Sequence, residues 1–418
     1  MDKMYLCIDL KSFYASVECV ERGLNPFRTN LVVADPSRGN GGICLAITPF
    51  MKEQGVKNRC RIFQIPKGME YITALPRMKL YMQYSADIYS VYLRYISPED
   101  IHVYSIDECF FDITAYMNLY GKNPREMAQM LIDAVYRETG ISAAAGIGTN
   151  MFLAKVALDI TAKHSPDKIG YLDKKRFEEQ IWHHRPITDI WNIGKGIATR
   201  LERFGIYDLY DVAHANEKNL YREFGVNAEF LIDHAHGNEP CTIEEIKNFE
   251  AKSSSLSNSQ ILFENYNAED ALIVVKEMVD LLCLELVEKN LVTNSISLQI
   301  GYGDKVTNPT GGTMKIDNYT SSATKLTEVF VGYFHKIVRK DIPIRKLTVG
   351  LNHLAVEEYV EYDLFADFET DEKERKRQQA IIEIRKKFGK NAIVKGMSLQ
   401  EKATARTRNK LIGGHNGE

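Results

Sequence analysis

Three carboxylates stand out for what they could do together: Asp9 and the adjacent pair Asp107 and Glu108. Asp9 ends a short apolar run, Met-Tyr-Leu-Cys-Ile-Asp over 4–9, that reads as a buried strand. Asp107 and Glu108 occupy a tight turn between two further strand candidates within 101–113. Neighbouring acids on a turn repel each other and are costly to gather without a cation. If the strands share one sheet, Asp9 faces the pair. Such a set suits Mg²⁺, a hard ion with oxygen ligands at about 2.0–2.1 Å. Two such ions roughly 3.5–4 Å apart stabilise the attacking and leaving oxygens of an in-line phosphoryl displacement. An Asp-Glu dipeptide in a turn is most often simply solvated, so the neighbours matter. A helix starts at Ser12, just after Leu10 and Lys11, and the unpaired N–H groups of its first turn form a phosphate cradle. Strand-end acid, helix N-terminus and acidic turn together describe a nucleoside-triphosphate site.

The elements that must position these groups alternate. Helical spacing covers 12–23, 81–96, 124–138 and 150–163, and strands are predicted at 31–34 and 141–147, with a glycine-rich loop at 36–42. The first 165 residues therefore form an α/β or α+β layer fold. Residues 174–240 are helical with short Gly-containing turns. Residues 250–355 run strand, helix, strand, strand, helix, strand, with strands near 253–262, 294–303, 311–317 and 344–352 and helices at 268–289 and 320–339. That is the order of a ferredoxin-like split βαβ arrangement, with helices on one face of a four-stranded sheet and the other face free.

The chain has 418 residues, 44% hydrophobic and 26% charged, enough for two to four domains. Collagen-like repeats and wholesale disorder are excluded by this composition. No apolar run approaches the roughly 18 residues of a membrane helix, and no hydrophobic leader follows Met1. Seven scattered cysteines without a CxxC pair argue for a reducing cytosol rather than a zinc or disulfide framework. The net charge of −3 excludes a uniformly basic nucleic-acid coat. Residues 361–418 are net +3, with 13 Lys and Arg against 10 Asp and Glu, so the rest is net −6.

Four segments in chain order carry a resemblance. Asp9-Leu10-Lys11-Ser12-Phe13-Tyr14-Ala15-Ser16-Val17-Glu18, Ser105-Ile106-Asp107-Glu108, Gly146-Ile147-Gly148-Thr149-Asn150 and Leu153-Ala154-Lys155 resemble the Y-family translesion DNA polymerases over nearly the whole chain. Within that family the likeness is to the polymerase V catalytic subunit (UmuC) type and the UvrX-like UV-damage repair proteins of Gram-positive bacteria. The resemblance implies a multidomain α+β right hand. The palm would be 1–10 and 77–166, the fingers 11–76, and a helical thumb 167–240. A linker would follow at 241–249, a β-α-β-β-α-β little finger at 250–355, and a tail at 356–418. It implies Asp9, Asp107 and Glu108 as metal-binding acids, with the Leu10 carbonyl as a further ligand, for two Mg²⁺ ions that Mn²⁺ could replace. Phe13 and Tyr14 would contact the incoming nucleotide, and Tyr14 falls on the steric-gate position that excludes ribonucleotides. Lys155 and Lys52 match triphosphate contacts, to which Thr48 would add a hydroxyl for the nucleotide. Pro49 stands where a Tyr is common, and Ile43 and Leu45 are bulkier than the residues roofing the base in lesion-tolerant members. From spacing alone, Lys155, Asp159 and Lys163 also read as an ion-paired helical stripe.

Residues 187–206 resemble a helix-hairpin-helix. Gly194 and Gly196 let backbone N–H groups approach a DNA phosphate, Lys195 adds charge, and Asn192 replaces the usual first glycine. Lys252 and Ser253 open the little finger as phosphate contacts, although 241–360 hold 12 Lys and Arg against 16 Asp and Glu. Positive charge must then be segregated to one face. Glu361-Tyr362-Asp363-Leu364-Phe365 resembles a sliding-clamp peptide, with Leu364 and Phe365 as the anchor. Residues 371–388 form a charged helix with Ala380, Ile381 and Ile384 on one face, and 404–415 read as a basic flexible arm. The resemblance implies primer–template DNA and deoxynucleoside triphosphates as substrates and a bacterial cytoplasmic, nucleoid-associated place. A sliding clamp would be a partner, and a recombinase filament or accessory subunit a further one. Two rivals stay open: a non-catalytic clamp- or DNA-binding repair scaffold, and another palm-type two-metal enzyme such as a nucleotide cyclase.

Overall fold

The computed structural model describes residues 3–251, 254–304, 306–357 and 368–417. It divides into two compact units, Met1–Phe249 and Glu250–Gly417. No helix among the described residues is long and apolar enough to cross a membrane.

The first unit is built on a five-stranded sheet. Its strands are β1 (Tyr5–Leu10), β2 (Ile101–Val103), β3 (Glu108–Asp112), β4 (Ala143–Gly148) and β5 (Ile169–Leu172), in the order β2-β3-β1-β4-β5. β1 is antiparallel to both neighbours, and β4 runs parallel to β5. The near-continuous apolar run of β1 makes it the central strand, covered on both faces. On one face Tyr5, Cys7 and Phe110 pack on Met151, Ala154 and Leu158. On the other, Phe111 meets the edge of Tyr92 at 4.8 Å. The helices that cover the sheet include α2 (Met78–Tyr92), α3 (Pro124–Thr139) and α4 (Met151–Val156), while α1 (Phe13–Glu21), which follows β1, packs on the strands Leu31–Val33 and Ala46–Ile47. Asn123 and Glu126 start α3 with a reciprocal capping box.

The predicted helix over 150–163 is interrupted. After α4 the chain makes a π turn at Ala157–Thr161. Glycines allow the close approach of this helix to the sheet. A Cβ on Gly148 would lie 2.2 Å from the Ala154 nitrogen, on Gly146 2.0 Å from the Ala154 oxygen, and on Gly170 2.1 Å from the Thr161 hydroxyl. The obstacles at Gly146 and Gly148 are backbone, so they cannot swing aside. Gly148→Ala is therefore expected to cost about 3 kcal/mol or more, at or above the upper end of the usual range for overpacking. Thermal unfolding checks this; an unchanged melting temperature would show that the helix can lift off.

A small sheet lies between α1 and α2. Leu31–Val33 is central, antiparallel to Ala46–Ile47 and parallel to Ile72–Ala74. The last two strands are too short to show in the sequence. Five short helices at 174–235, among them α5 (Lys195–Glu202), follow the five-stranded sheet, and their core includes Phe177, Leu201, Leu220 and Ala228. Residues 241–249, expected as a linker, instead carry a helix, Ile243–Asn248, closed by a Thr242/Glu245 capping box. Ile243 is buried against the cluster of Tyr5, Cys7 and Phe110, which makes the segment part of the first unit.

The second unit has the expected element order. It comprises β6 (Leu256–Tyr266), α6 (Ala268–Glu288), β7 (Leu291–Tyr302), β8 (Thr310–Thr320), α7 (Ala323–Ile337) and β9 (Ile344–Asn352). The lateral order is β8-β7-β9-β6, all neighbours antiparallel. β6 and β7 are thus parallel, with the fourth strand in the split between them. The ferredoxin order instead puts the third strand in that split and the fourth at an edge, so the chain shares the β-α-β-β-α-β element order but not the lateral strand order. Leu262, Ile296, Leu298, Leu347 and Val349 face the helices, while Ile261 and Phe263 are exposed on the other side.

The described part of the tail, 368–417, packs within the second unit, and the segment 404–415, expected as a flexible arm, belongs to it. Helix α8 (Phe368–Phe388) buries Glu374 and Gln378, whereas of the residues expected to share one face Ala380 is exposed and Ile381 and Ile384 are half-buried. The reason is polar. Glu374 accepts from the Ser322 hydroxyl at 2.6 Å and from the Thr324 N–H and hydroxyl at 3.0 and 2.9 Å, capping α7. Lys386 pairs with Glu288, Lys395 with Asp280 and Lys402 with Glu264. The basic tail therefore neutralises part of the acid excess of 241–360, which eases the charge mismatch expected of a DNA-holding domain.

Candidate active site

The sheet brings the acids together. Asp9 and Glu108 are cross-strand partners in the β1–β3 ladder, and the Leu10 N–H donates to the Asp107 carbonyl at 2.9 Å. Directly opposite residues in such a ladder have Cβ atoms about 4.5–5.5 Å apart. The Asp107 carboxylate accepts from the Ser105 hydroxyl at 2.7 Å. Glu108 is buried, and its Oε1 lies 2.7 Å from the Lys155 ammonium and 3.0 Å from the Cys7 sulfur, which donates to it. Among the described residues no group of three or more His, Cys, Asp or Glu is already gathered as a metal cage. The three carboxylates share one strand end, with Asp107 tied to Ser105 and Glu108 to Lys155.

Their electrostatics suit a cation. Burial, then the charges of Asp107 and Glu108, push the Asp9 carboxyl up to about 7, against the opposing pull of Lys155. A folded pKa above the unfolded one means that the folded state holds this proton more tightly. The stability it contributes is present at low pH and lost as pH rises from about 4 to about 7. A divalent cation must displace the proton. The rise in melting temperature on adding Mg²⁺ is therefore expected to be larger at pH 8 than at pH 6; equal shifts would place Asp9 outside the cation site.

Lys155 has another partner than the triphosphate. Its ammonium is buried between Glu108 and Asp159, the latter at 3.1 Å. Burial depresses its pKa, but Cys7, Glu108 and Asp159 outweigh this and the net shift is upward. It is the counter-ion of the acidic site. The Lys155–Asp159 pair of the expected stripe forms, but the π turn at Ala157–Thr161, with its one extra residue, rotates Lys163 out of it. Lys163 is exposed and lies within electrostatic reach of Lys52. Lys52 in turn feels Asp9 and Asp107; its pKa is lowered by burial, with Lys163 adding to that. Lys11 is lowered by burial and by Lys168. Lys11 and Lys52 thus form a basic rim within electrostatic reach of Asp9, with Lys168 in reach of Lys11 and Lys163 in reach of Lys52, which spacing alone did not show.

Thr48 is not available to a ligand. It is fully buried, donating to the Thr29 carbonyl at 2.7 Å and accepting from the Leu31 N–H at 3.3 Å. Pro49 and Lys52 sit one turn apart on the helix Pro49–Glu53. Ile43 and Leu45 are half-buried, alternating with buried Gly42, Cys44 and Ala46.

Ser12 enters α1 in the left-handed conformation, φ 48°, without a side-chain cap on the helix. Phe13 is buried, and half-buried Tyr14 stacks on Tyr81 with ring centroids 4.5 Å apart at 16°. Burial, then the Asp107 charge, raise the Tyr14 pKa, so its hydroxyl is within electrostatic reach of Asp107. In the hairpin, Asn192 has the expected positive φ, 66°, and Gly194 precedes α5. A Cβ on Gly194 or Gly196 would meet nothing within 4 Å, so the hairpin face is open. Lys252, Ser253 and Glu361 to Phe365 lie outside the described residues.

A sheet whose strand ends carry three acids under a helix N-terminus, followed by a helical module and a second α+β unit, is the architecture of a polymerase hand. The model of the impB/mucB/samB family matches residues 8–159, and that of its C-terminal domain matches 253–364. The chain belongs to this family and is a Y-family DNA polymerase. A protein named as a putative UV-damage repair protein, UvrX, in Bacillus subtilis (strain 168) is 32% identical over 99% of this chain and 97% of its own length. DNA polymerase IV 2 of Halalkalibacterium halodurans is 30% identical over 99% of this chain and 100% of its own. A solved Y-family DNA polymerase chimera has the same fold, with a TM-score of 0.64, 21% identity, and coverage of 85% of this chain and 100% of the chimera.

Proposed function

We propose that this polymerase extends primers across damaged template bases, transferring a nucleotide from a deoxynucleoside triphosphate to the primer 3′-hydroxyl. The observation that carries this reading is the meeting of Asp9, Asp107 and Glu108 at one strand end, with Tyr14 within electrostatic reach of Asp107 and Lys11 and Lys52 within reach of Asp9. The oxygen-only donor set and the raised Asp9 pKa fit two Mg²⁺ ions, held by the three acids and the Leu10 carbonyl, with Mn²⁺ as a substitute. Bound ions supply the positive charge that phosphoryl transfer requires. Lys155 holds Glu108 in place through their ion pair. Lys52 and Lys163 hold the leaving pyrophosphate charge, and Lys11 is close enough to assist. Tyr14 places its ring where a ribose 2′-hydroxyl would sit. Gly194, Lys195 and Gly196 grip the DNA backbone, as do Lys252 and Ser253 on sequence grounds.

The clamp peptide, Glu361 to Phe365, is proposed on sequence alone as the tether to a sliding clamp. A recombinase filament or accessory subunit is a further proposed partner, and the bacterial nucleoid the place of action. The test is primer extension on intact and ultraviolet-damaged templates with Mg²⁺ and four deoxynucleotides. Insertion opposite the lesion by the wild type, and none by Asp107→Ala/Glu108→Ala, is expected. No extension on either template, even with sliding clamp and recombinase filament added, would overturn the reading.

A further inference from the structure

Tyr14 does not stand alone. One face of its ring is covered by Tyr81, near-parallel at 4.5 Å, and Tyr81 is fully buried. The Tyr81 hydroxyl donates to Glu18 Oε1 at 2.7 Å. Glu18, one turn after Tyr14 on α1, is itself fully buried. Its carboxylate is held by Arg77, with Nε at 3.0 Å and Nη2 at 2.8 Å, and by Arg22. Arg77 precedes α2, the helix that carries Tyr81. A buried carboxylate with two guanidinium partners and one phenol is a stiff joint, because any movement leaves charge unpaired.

We propose that Tyr81, locked by the Glu18–Arg77 pair, is the positioning residue that fixes the Tyr14 ring and thereby sets discrimination against ribonucleotides. The inference rests on Tyr14 being the sugar gate. A gate excludes a 2′-hydroxyl only if its ring cannot tilt away. An aromatic ring has a broad, soft χ2 rotation unless something is packed against its face. Tyr81 supplies that face, and the phenol–carboxylate bond stops Tyr81 from sliding. The joint acts on the nucleotide only through Tyr14.

The test compares single-nucleotide kcat/KM for a ribonucleotide and its deoxy counterpart in wild type, Tyr14→Ala, Tyr81→Leu, Tyr81→Phe and Tyr14→Ala/Tyr81→Leu. Tyr81→Leu is expected to narrow the deoxy-over-ribo preference by about tenfold or more, chiefly by raising ribonucleotide use. Tyr81→Phe keeps the stack and loses the tie, so about threefold is expected. The double variant is expected to match Tyr14→Ala, since contacting residues that act as one unit are not additive. A purely structural Tyr81 would slow both substrates alike and leave the ratio unchanged. That result in Tyr81→Leu overturns the proposal, and if Tyr81→Leu does not fold, an unchanged ratio in Tyr81→Phe does so. An unchanged ratio in Tyr14→Ala would instead remove the gate reading itself.

Discussion

Asp107→Asn is expected to lower primer extension by about a thousandfold or more while leaving the chain folded and, above pH 7, slightly more stable. A thousandfold corresponds to about 4 kcal/mol of barrier, the size of a lost charge at the reacting phosphate. The substitution is nearly isosteric. An amide oxygen at this position can still accept from the Ser105 hydroxyl, which lies 2.7 Å from the present carboxylate. The close ion pairs of the site stay intact, because Lys155 is engaged by Glu108 and Asp159. What changes is the repulsion on Asp9, whose carboxyl is held at about 7 by burial and by its two acidic neighbours. With residue 107 neutral, Asp9 ionises at lower pH and the folded state loses a conflict. Activity and stability thus move in opposite directions, as at sites where function is bought with stability. Single-turnover extension at saturating Mg²⁺, beside melting temperature with and without the ion, reads both. Extension within tenfold of wild type would show that Asp107 is an ordinary turn residue. Glu108→Gln is a poorer test, since it also leaves buried Lys155 with Asp159 as its remaining charged partner.

Glu277→Ala is expected to release the end of the tail from the second unit and to cost about 3–5 kcal/mol there. Glu277 lies on α6 and is buried; its Oε2 accepts from the Thr404 and Ala405 N–H groups at 2.8 and 2.9 Å and from the Thr404 hydroxyl at 3.3 Å. Gln260 Oε1 accepts from Thr404 and from Arg408 Nη1, each at 3.1 Å. Arg408 Nε and Nη2 and Glu277 Oε1 are buried without hydrogen-bond partners among the described residues. Burial lowers the Arg408 pKa and the Glu277 charge opposes this, so the carboxylate is its electrostatic counterpart. Removing Glu277 strands two N–H groups and a buried guanidinium together. Two units in one chain do not unfold as one transition, so a local probe is needed. Amide hydrogen exchange at 396–417 is expected to become fast in Glu277→Ala and to stay slow in Glu277→Gln, which keeps an acceptor. Unchanged protection in Glu277→Ala would show that the Lys386, Lys395 and Lys402 ion pairs suffice.

The alternation of strands and helices through residue 165 is legible from apolar spacing, as is the element order of the second unit. Short strands such as Ala46–Ile47 and Ile72–Ala74 are not, since two or three residues carry no period. The linker expected at 241–249 and the flexible arm expected at 404–415 fail for a shared reason. Polar composition signals exposure only when partner groups are absent. Here a capping box closes one segment, and buried Glu277 and Gln260 hold the other.

By itself, the sequence determined the chemistry on offer. Asp9, Asp107 and Glu108 are the acids, Tyr14 is the gate candidate, and Gly146 and Gly148 belong to a strand–turn–helix segment of the polymerase type. Strand-end acids and glycines keep their meaning locally, because period and side-chain size act over a few residues. The tertiary structure alone decided which groups are free to act. It turned Lys155 to Glu108, closed Thr48 inside its small sheet, rotated Lys163 out of the expected stripe through a π turn, and set Tyr81 behind Tyr14. Most of these outcomes depend on partners tens of residues away in sequence. Burial makes a charge or hydroxyl seek whichever partner the packing brings within hydrogen-bond reach.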